Sequence, residues 1–368
     1  MQTDVLIVGG GPAGLATAIA ARCKGLRVAL VDHRRPPIDK ACGEGLLPEA
    51  VTAIRGLGIE LDSARAHPFA GLRFSDRHLS FHANFPRGKA YGIRRTDLHS
   101  ILVSRATEAG VTMLWQTRVP HLEAGVACVG HERISYRWLV GADGQHSRVR
   151  QFAGLESRLR RNHRFGFRRH YECAPWSSFV DVHWAHGCQM VVTPTSAGEV
   201  CVATFTSDSR LRIDASLASL FPEVEERLRG ARVISSETGA ITSFGRARGV
   251  RRGNVALVGD ASCTVDGIAG QGLSLAFQQG LHLADAIAAG NLASYEAAHA
   301  RLIRLPMRMT RLLLLMNSSN AVRTRVMKLF ARRPWLFAAL VAAHTDPSSP
   351  EALKPAKILD LGWNVLWE

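Results

Sequence analysis

The chain has 368 residues, 46% hydrophobic and 21% charged, which suits a soluble globular protein long enough for two domains. That balance excludes a disordered chain, a collagen-like fibre and a small disulfide scaffold. The formal charge of +15 is uneven, since positions 297–345 carry nine Arg and Lys and no acid, so a uniformly nucleic-acid-like surface is also excluded.

Asp4-Val5-Leu6-Ile7-Val8 is a continuous apolar run bounded by glycine, the pattern of a parallel strand buried on both faces. The break at Gly9-Gly10-Gly11-Pro12, with no basic flank before it, argues against a secretory signal. An Ala-rich helix is predicted from Leu15 to Lys24, closed by Gly25, and a second strand runs from Arg27 to Val31 into Asp32. After a loop through Lys40-Ala41-Cys42-Gly43-Glu44-Gly45, helical spacing returns from Pro48 to Leu57. Short alternating strands follow between Phe69 and Tyr91, then a helix over Thr96 to Ala109 and strands at Val111–Leu114 and Trp138–Val140.

From about 164 to 245 the pattern becomes an antiparallel sheet, with strands around Phe165–Phe167, Phe179–Trp184, Gln189–Val192 and Val200–Phe205. Asn254 to Asp260 reads as another buried parallel strand, followed by a glycine-studded loop and a helix to about Ala289. Beyond Tyr295 the chain reads as helices, and the best apolar run, Trp335 to Ala343, is half of the ~18 residues that a membrane span needs. The seven cysteines are scattered, odd in number and free of CxxC pairs, which fits a reducing, cytoplasmic setting and argues against a zinc site or a disulfide framework.

The strand, the turn Gly9-x-Gly11-x-x-Gly14, the helix and the acid at 32 together form a dinucleotide-binding fingerprint. Gly9 allows the tight turn, Gly11 lets backbone approach a pyrophosphate, and Gly14 lets helix and strand pack closely. The helix N-terminus offers free N–H groups to phosphate, and Asp32 is placed to accept ribose hydroxyls.

Two further motifs, Gly141-Ala142-Asp143-Gly144-x-x-Ser147-x-Val149-Arg150 and Val258-Gly259-Asp260 through Gly270-Gln271-Gly272, follow in order. With them the chain resembles the FAD-containing aromatic hydroxylase superfamily, which also holds geranylgeranyl reductases and flavin-dependent halogenases. The resemblance implies an α/β fold: a doubly wound, Rossmann-like FAD domain with an inserted sheet-rich α+β substrate domain and a helical C-terminal region. The expected FAD domain comprises 1–65, 92–160 and 246–295, the substrate domain 66–91 and 161–245, and the helical region 296–368.

The resemblance implies non-covalent FAD, reduced by NAD(P)H, held by Gly9, Gly11, Pro12, Ala13, Gly14, Asp32, His33 and Arg34 in the first unit. Cys42, Gly43, Arg95, Val119, Asp143 and Gly144 continue the implied set, and Gly259, Asp260, Gly270, Gln271, Gly272 and Leu273 complete it. A helix dipole aimed at the flavin N1/O2 edge would stabilise the reduced anion. Where hydroxylases have Pro in this loop the chain has Gly267, and Lys40-Ala41-Cys42-Gly43 is similar to the reductase branch, so Cys42 and Gly267 are the flavin-proximal catalytic candidates. Cys42 reads equally as a small buried apolar residue.

Thr193-Pro194 resembles a segment of polyketide-associated members, and His183 and Trp184 are further candidates for the substrate cavity, as are His170, Tyr171 and Asp266. No metal site is expected, because His183 and His186 would face opposite sides of a strand. The first functional expectation is an NAD(P)H- and O2-dependent monooxygenase, acting through a C4a-hydroperoxyflavin on a phenolic, polyketide-like or lipid-like small molecule of secondary metabolism. The alternative is a reductase or dehydrogenase of a prenyl or acyl chain.

The tail carries Arg301, Arg304, Arg308 and Arg311 at helical spacing among apolar residues, with Pro306 expected to break the helix. It reads either as a peripheral dock on an anionic membrane or as helices packed on the flavin domain with Arg outward. Nucleic acid is not an expected partner.

Overall fold

The computed structural model describes residues 1–156 and 164–345. The expected domain boundary at 160–161 and the end of the C-terminal region, 346–368, lie outside the described residues.

Two large sheets organise the molecule. The first has a parallel centre in the order Val255–Leu257, Glu132–Gly141, Gln2–Val8, Val28–Val31 and Thr112–Leu114. Val8 is level with both Val31 and Gly141, so three strand ends open at one edge of the sheet. Alternation along the first strand divides the core. Val5 and Ile7 pack beneath helices Pro12–Cys23, Arg95–Glu108 and Gly272–Ala288, whereas Leu6 joins Leu139, Leu257 and Val149 on the other face. That second face is covered by the hairpin His121–Glu123/Val126–Val129 and the short helix Arg148–Phe152. The hairpin had no clear signal in the sequence, being two very short strands around Gly125.

The second sheet runs in the order Arg232–Val233, Arg164–Glu172, Glu199–Thr206, Cys188–Ser196, Phe179–Ala185, Gly71–Ser75 and Ser80–Asn84. All its pairings are antiparallel except that of Phe179–Ala185 with Gly71–Ser75. One face packs on helices Ile213–Leu220 and Pro222–Arg227 through Met190, Val192, Val200 and Val202. The opposite face, carrying Phe74, Val180, Val182 and Trp184, meets the helices Leu292–Ser318, Asn320–Arg332 and Pro334–Thr345.

Helix Leu292–Ser318 continues through Pro306, against the expected break. Proline removes one N–H from the ladder, but Ile303, Met309 and Leu313 are buried on both sides of it, and that packing outweighs the lost bond. The tail packs on the second sheet as well as on helix Gly272–Ala288, with Arg301, Arg304, Arg308 and Arg311 all exposed. Among the described residues no helix is long and apolar enough to cross a membrane.

Candidate functional site

A cavity of about 550 Å³ lies between the two sheets, at the edge where the parallel strands end. The glycine turn forms one end of it. Gly9 has φ +114°, and a Cβ there would lie 2.2 Å from the Ala142 carbonyl oxygen, so only glycine lets the first two motifs touch. At Gly14 a Cβ would lie 1.9 Å from the Gly9 oxygen, the close helix–strand approach that the spacing predicts.

By contrast, a Cβ at Gly11, Gly43, Gly144, Gly270 or Gly272 would meet nothing within 4 Å, and all five line the cavity. Bare backbone is thus presented to the empty space from four separate segments. Helix Gly272–Ala288 begins there too, so its free N–H groups and positive end border the same volume.

Arg95 supplies the cation. It is buried, lines the cavity, and its Nε has no hydrogen-bond partner. Among the described residues no carboxylate lies within ion-pair distance of it. Burial pulls its pKa down, so an anionic group in the cavity would relieve a real electrostatic cost. Bare glycine backbone, a helix N-terminus and a buried guanidinium with an unpartnered Nε are what a dinucleotide with a pyrophosphate and an anionic ring edge requires, and the residues present therefore fit FAD.

Of the residues singled out from sequence, Gly11, Pro12, Ala13, His33, Arg34, Cys42, Gly43 and Arg95 line this cavity. So do Asp143, Gly144, Thr193, Gly259, Asp260, Gly267, Gly270, Gly272 and Leu273. Others are placed elsewhere. Asp32 is buried with its oxygens already accepting the Gly10 and Arg34 N–H groups, each at 2.8 Å, so it holds the glycine turn in shape. Gln271 turns away and donates to Glu49 Oε1 and the His344 carbonyl at 2.8 and 2.9 Å, fastening the last helix to the loop. The Val119 carbonyl accepts from Arg148, and its side chain belongs to the far-face core.

His183 lies on the opposite face of the second sheet, against Ser75 Oγ at 2.9 Å and Glu223 Oε1 at 3.2 Å, because strand alternation sends Val182 and not its neighbour inward. Trp184 is on the inner face but packs among the tail helices. Pro194 is not on the cavity wall either; its carbonyl crowds Gly92, where a Cβ would lie 1.8 Å away. Thr193 donates to the Gly43 carbonyl at 2.7 Å and so ties the Cys42 loop to the sheet. His170, Tyr171 and Asp266 are buried off the wall.

Cys42 faces the cavity as a neutral thiol, because burial pushes its pKa up. Asp260 is held by Lys40, Nζ to Oδ2 at 2.9 Å, across the rim between the Cys42 loop and the strand end. Asp266 accepts from Arg164 and from the Ile268 N–H, which anchors the three-residue turn at Gly267 to the second sheet.

Sequence reading missed a buried network behind the Cys42 loop. Glu44, at φ +58°, accepts the Arg95 N–H at 2.9 Å and pairs with His170 Nε2 at 2.7 Å and Arg168 at 3.3 Å. Arg168 continues to Asp39 Oδ2 at 2.6 Å. Cys201 approaches Glu44 and His170 closely enough to make a ligand-like trio, but the Arg168 guanidinium in the same cluster opposes a cation there. The only advance signal was an acidic residue between two glycines.

A family described as FAD binding domain matches residues 2–298. The chain is 27% identical over 332 residues to menaquinone reductase of Mycolicibacterium smegmatis, covering 82% of this chain and 80% of that protein. It is 29% identical over 320 residues to 6-methylpretetramide 4-monooxygenase of Streptomyces rimosus, covering 78% and 74%. A solved flavoprotein/dehydrogenase from Cytophaga hutchinsonii shares the fold at TM-score 0.78 and 18% identity, covering 98% of this chain and all of that one.

Proposed function

The chain belongs to the FAD-binding-domain family of flavin-dependent oxidoreductases, and from that premise we propose that it is an NAD(P)H-dependent reductase of an apolar, chain-bearing substrate. The observation that carries this reading is the composition of the cavity. Bare glycine backbone and Arg95 line part of it, and Met309, Leu313, Phe337, Leu340 and Val341 of the tail helices wall another part. An apolar wall of this kind supports a substrate that is itself apolar. The reductase named above, matched along most of both chains, supports the same class.

In this reading the segments 66–91 and 161–245 form the substrate-binding part. The glycine turn, Arg95, the Asp143-Gly144 segment and the start of helix Gly272–Ala288 would hold FAD, which when bound supplies two-electron chemistry that no side chain can perform. Arg95 and the helix end would favour negative charge on the reduced ring. Cys42 and Gly43 would pack beside it. The apolar wall would exclude water from the reacting face.

A second reading, oxygen insertion into an aromatic, polyketide-like molecule, is favoured by the similarity to 6-methylpretetramide 4-monooxygenase. Anaerobic mixing of the reduced holoprotein with a prenylated quinone separates the two. Flavin reoxidation with loss of a substrate double bond supports the reductase, whereas product that forms only after oxygen is admitted supports the monooxygenase.

The tail also supports a peripheral membrane contact: Leu315 and Trp335 are 51% and 58% exposed among exposed Arg311, Arg325 and Lys328. Co-sedimentation with anionic vesicles tests it, and Trp335→Ala should release the protein. No binding at low salt would remove the idea.

A further inference from the structure

From Cys188 to Thr193 the strand alternates between the two faces of the second sheet. Cys188, Met190 and Val192 pack on the outer helices, so Gln189, Val191 and Thr193 face the cavity, and all three line it. Val191 is apolar, and Thr193 is committed to the Gly43 carbonyl. Gln189 is different. It is 1% exposed, its carboxamide oxygen is sealed without a partner, and no described residue hydrogen-bonds its side chain.

Its neighbours do not explain it. Across the sheet Gln189 is level with Trp184 on one side and Phe205 on the other, and the Trp184 indole N–H is itself buried and unbonded. Phe205 offers only a ring. Around them Val180, Val182, Phe74 and Leu72 complete an apolar surface. A buried amide with nothing to bond is unfavourable, and an aliphatic residue of similar size would serve the packing better. The group makes sense when the cavity is filled.

We propose that the Gln189 carboxamide is the specificity contact of the cavity, its N–H2 group donating to a carbonyl oxygen on an otherwise apolar substrate. The placement also orients that substrate. Phe205 lies one strand away from Gln189 and covers Gly267, so the bonded oxygen is held near the Gly267 turn. The rest of the molecule extends along the tail-helix wall. The amide nitrogen suits the task, because no described residue accepts from it and it can donate to a carbonyl. This inference rests on the reading of the cavity as the substrate site, and it adds the chemical feature that the site selects.

The test uses the FAD-loaded, oxidised holoprotein without reductant, and two probes of similar shape: 2-methyl-1,4-naphthoquinone, which carries carbonyls, and 2-methylnaphthalene, which does not. Equilibrium dialysis should show the wild type binding the quinone at least about tenfold more tightly than the hydrocarbon. Gln189→Met should abolish that preference while leaving hydrocarbon affinity unchanged. A difference infrared spectrum of the wild-type complex should show a carbonyl stretch moved to lower frequency, which a purely structural glutamine would not produce and which does not depend on the variant folding. Equal binding of both probes by the wild type, a preference retained in Gln189→Met, or an unshifted carbonyl band overturns the proposal while leaving the flavin reading intact. Failure of the loaded wild type to bind either probe overturns both the proposal and the cavity reading.

Discussion

The ring of Phe205 fills the space that a side chain at Gly267 would need: a Cβ there would lie 2.3 Å from the ring's Cε1. Both residues line the cavity, and they come from different segments, a strand of the second sheet and the turn before helix Gly272–Ala288. Glycine at 267 is therefore matched to an aromatic partner 62 positions away, as the pair's numbering shows.

Gly267→Ala should accordingly destabilise the protein by about 1–3 kcal/mol through overpacking. Phe205→Leu in the same chain should return part of that loss. Urea unfolding of both single variants and the double variant measures the coupling; strict additivity, within about 0.5 kcal/mol, would contradict the contact.

Gly14 and Gly11 should fail in different ways. At Gly14 a methyl group would collide with the Gly9 backbone oxygen, which cannot move aside, so Gly14→Ala should cost the apoprotein about 3 kcal/mol. At Gly11 the added methyl meets only empty space, so Gly11→Ala should leave apoprotein stability within about 1 kcal/mol. It should nonetheless weaken FAD binding, because the methyl projects where the cofactor would lie. Thermal melts of apoprotein and flavin-fluorescence titrations distinguish the two, and the reverse pattern would refute the placement of the cofactor.

Glu44 is fully buried and is the hub of three interactions. Glu44→Ala should be destabilising by about 3–5 kcal/mol, since it strands Arg168 and His170 in the interior. Glu44→Gln keeps an acceptor for the Arg95 N–H and should lose clearly less. Chemical denaturation ranks them, and equal losses would mean that the retained acceptor contributes nothing and the charge accounts for the whole effect.

His299 is buried against Ser262 Oγ at 3.0 Å, and burial pushes its pKa down to about 4. The unfolded chain therefore takes up this proton first, near pH 6.5. The stabilisation is complete above that value and drains away as pH falls from 6.5 toward 4, by roughly 3 kcal/mol in all. His344, also pushed down to about 4 by burial, acts in the same direction. Denaturation curves across this range should show a shallower acid loss in His299→Gln than in the wild type; parallel curves would show that the imidazole is not held neutral.

The glycine turn with its strand and helix was legible in the sequence because it is local, whereas the roles of the segments at 141–150 and 258–272 came from resemblance. A parallel strand, a φ-permissive turn and a helix start announce themselves within about thirty residues. Arg95 was legible only through resemblance. Asp32 lies at the end of the second strand, but its partners were not legible, since its oxygens accept from the Gly10 N–H of the glycine turn and the Arg34 N–H just after the strand.

Period-two alternation along 179–206 determined that Gln189, Val191 and Thr193 share a face, but not which face meets the cavity. That was decided by the tail helices, which cover one side of the sheet and leave His183 on the other. The Glu44–His170 pair spans 126 positions, and the Phe205–Gly267 contact joins a strand of the second sheet to the turn before helix Gly272–Ala288. Local preference depends on dihedral angles and spacing, which a short stretch of chain contains in full. Burial and partner choice depend on which distant surfaces exclude water together, and that exists only once the chain has closed on itself.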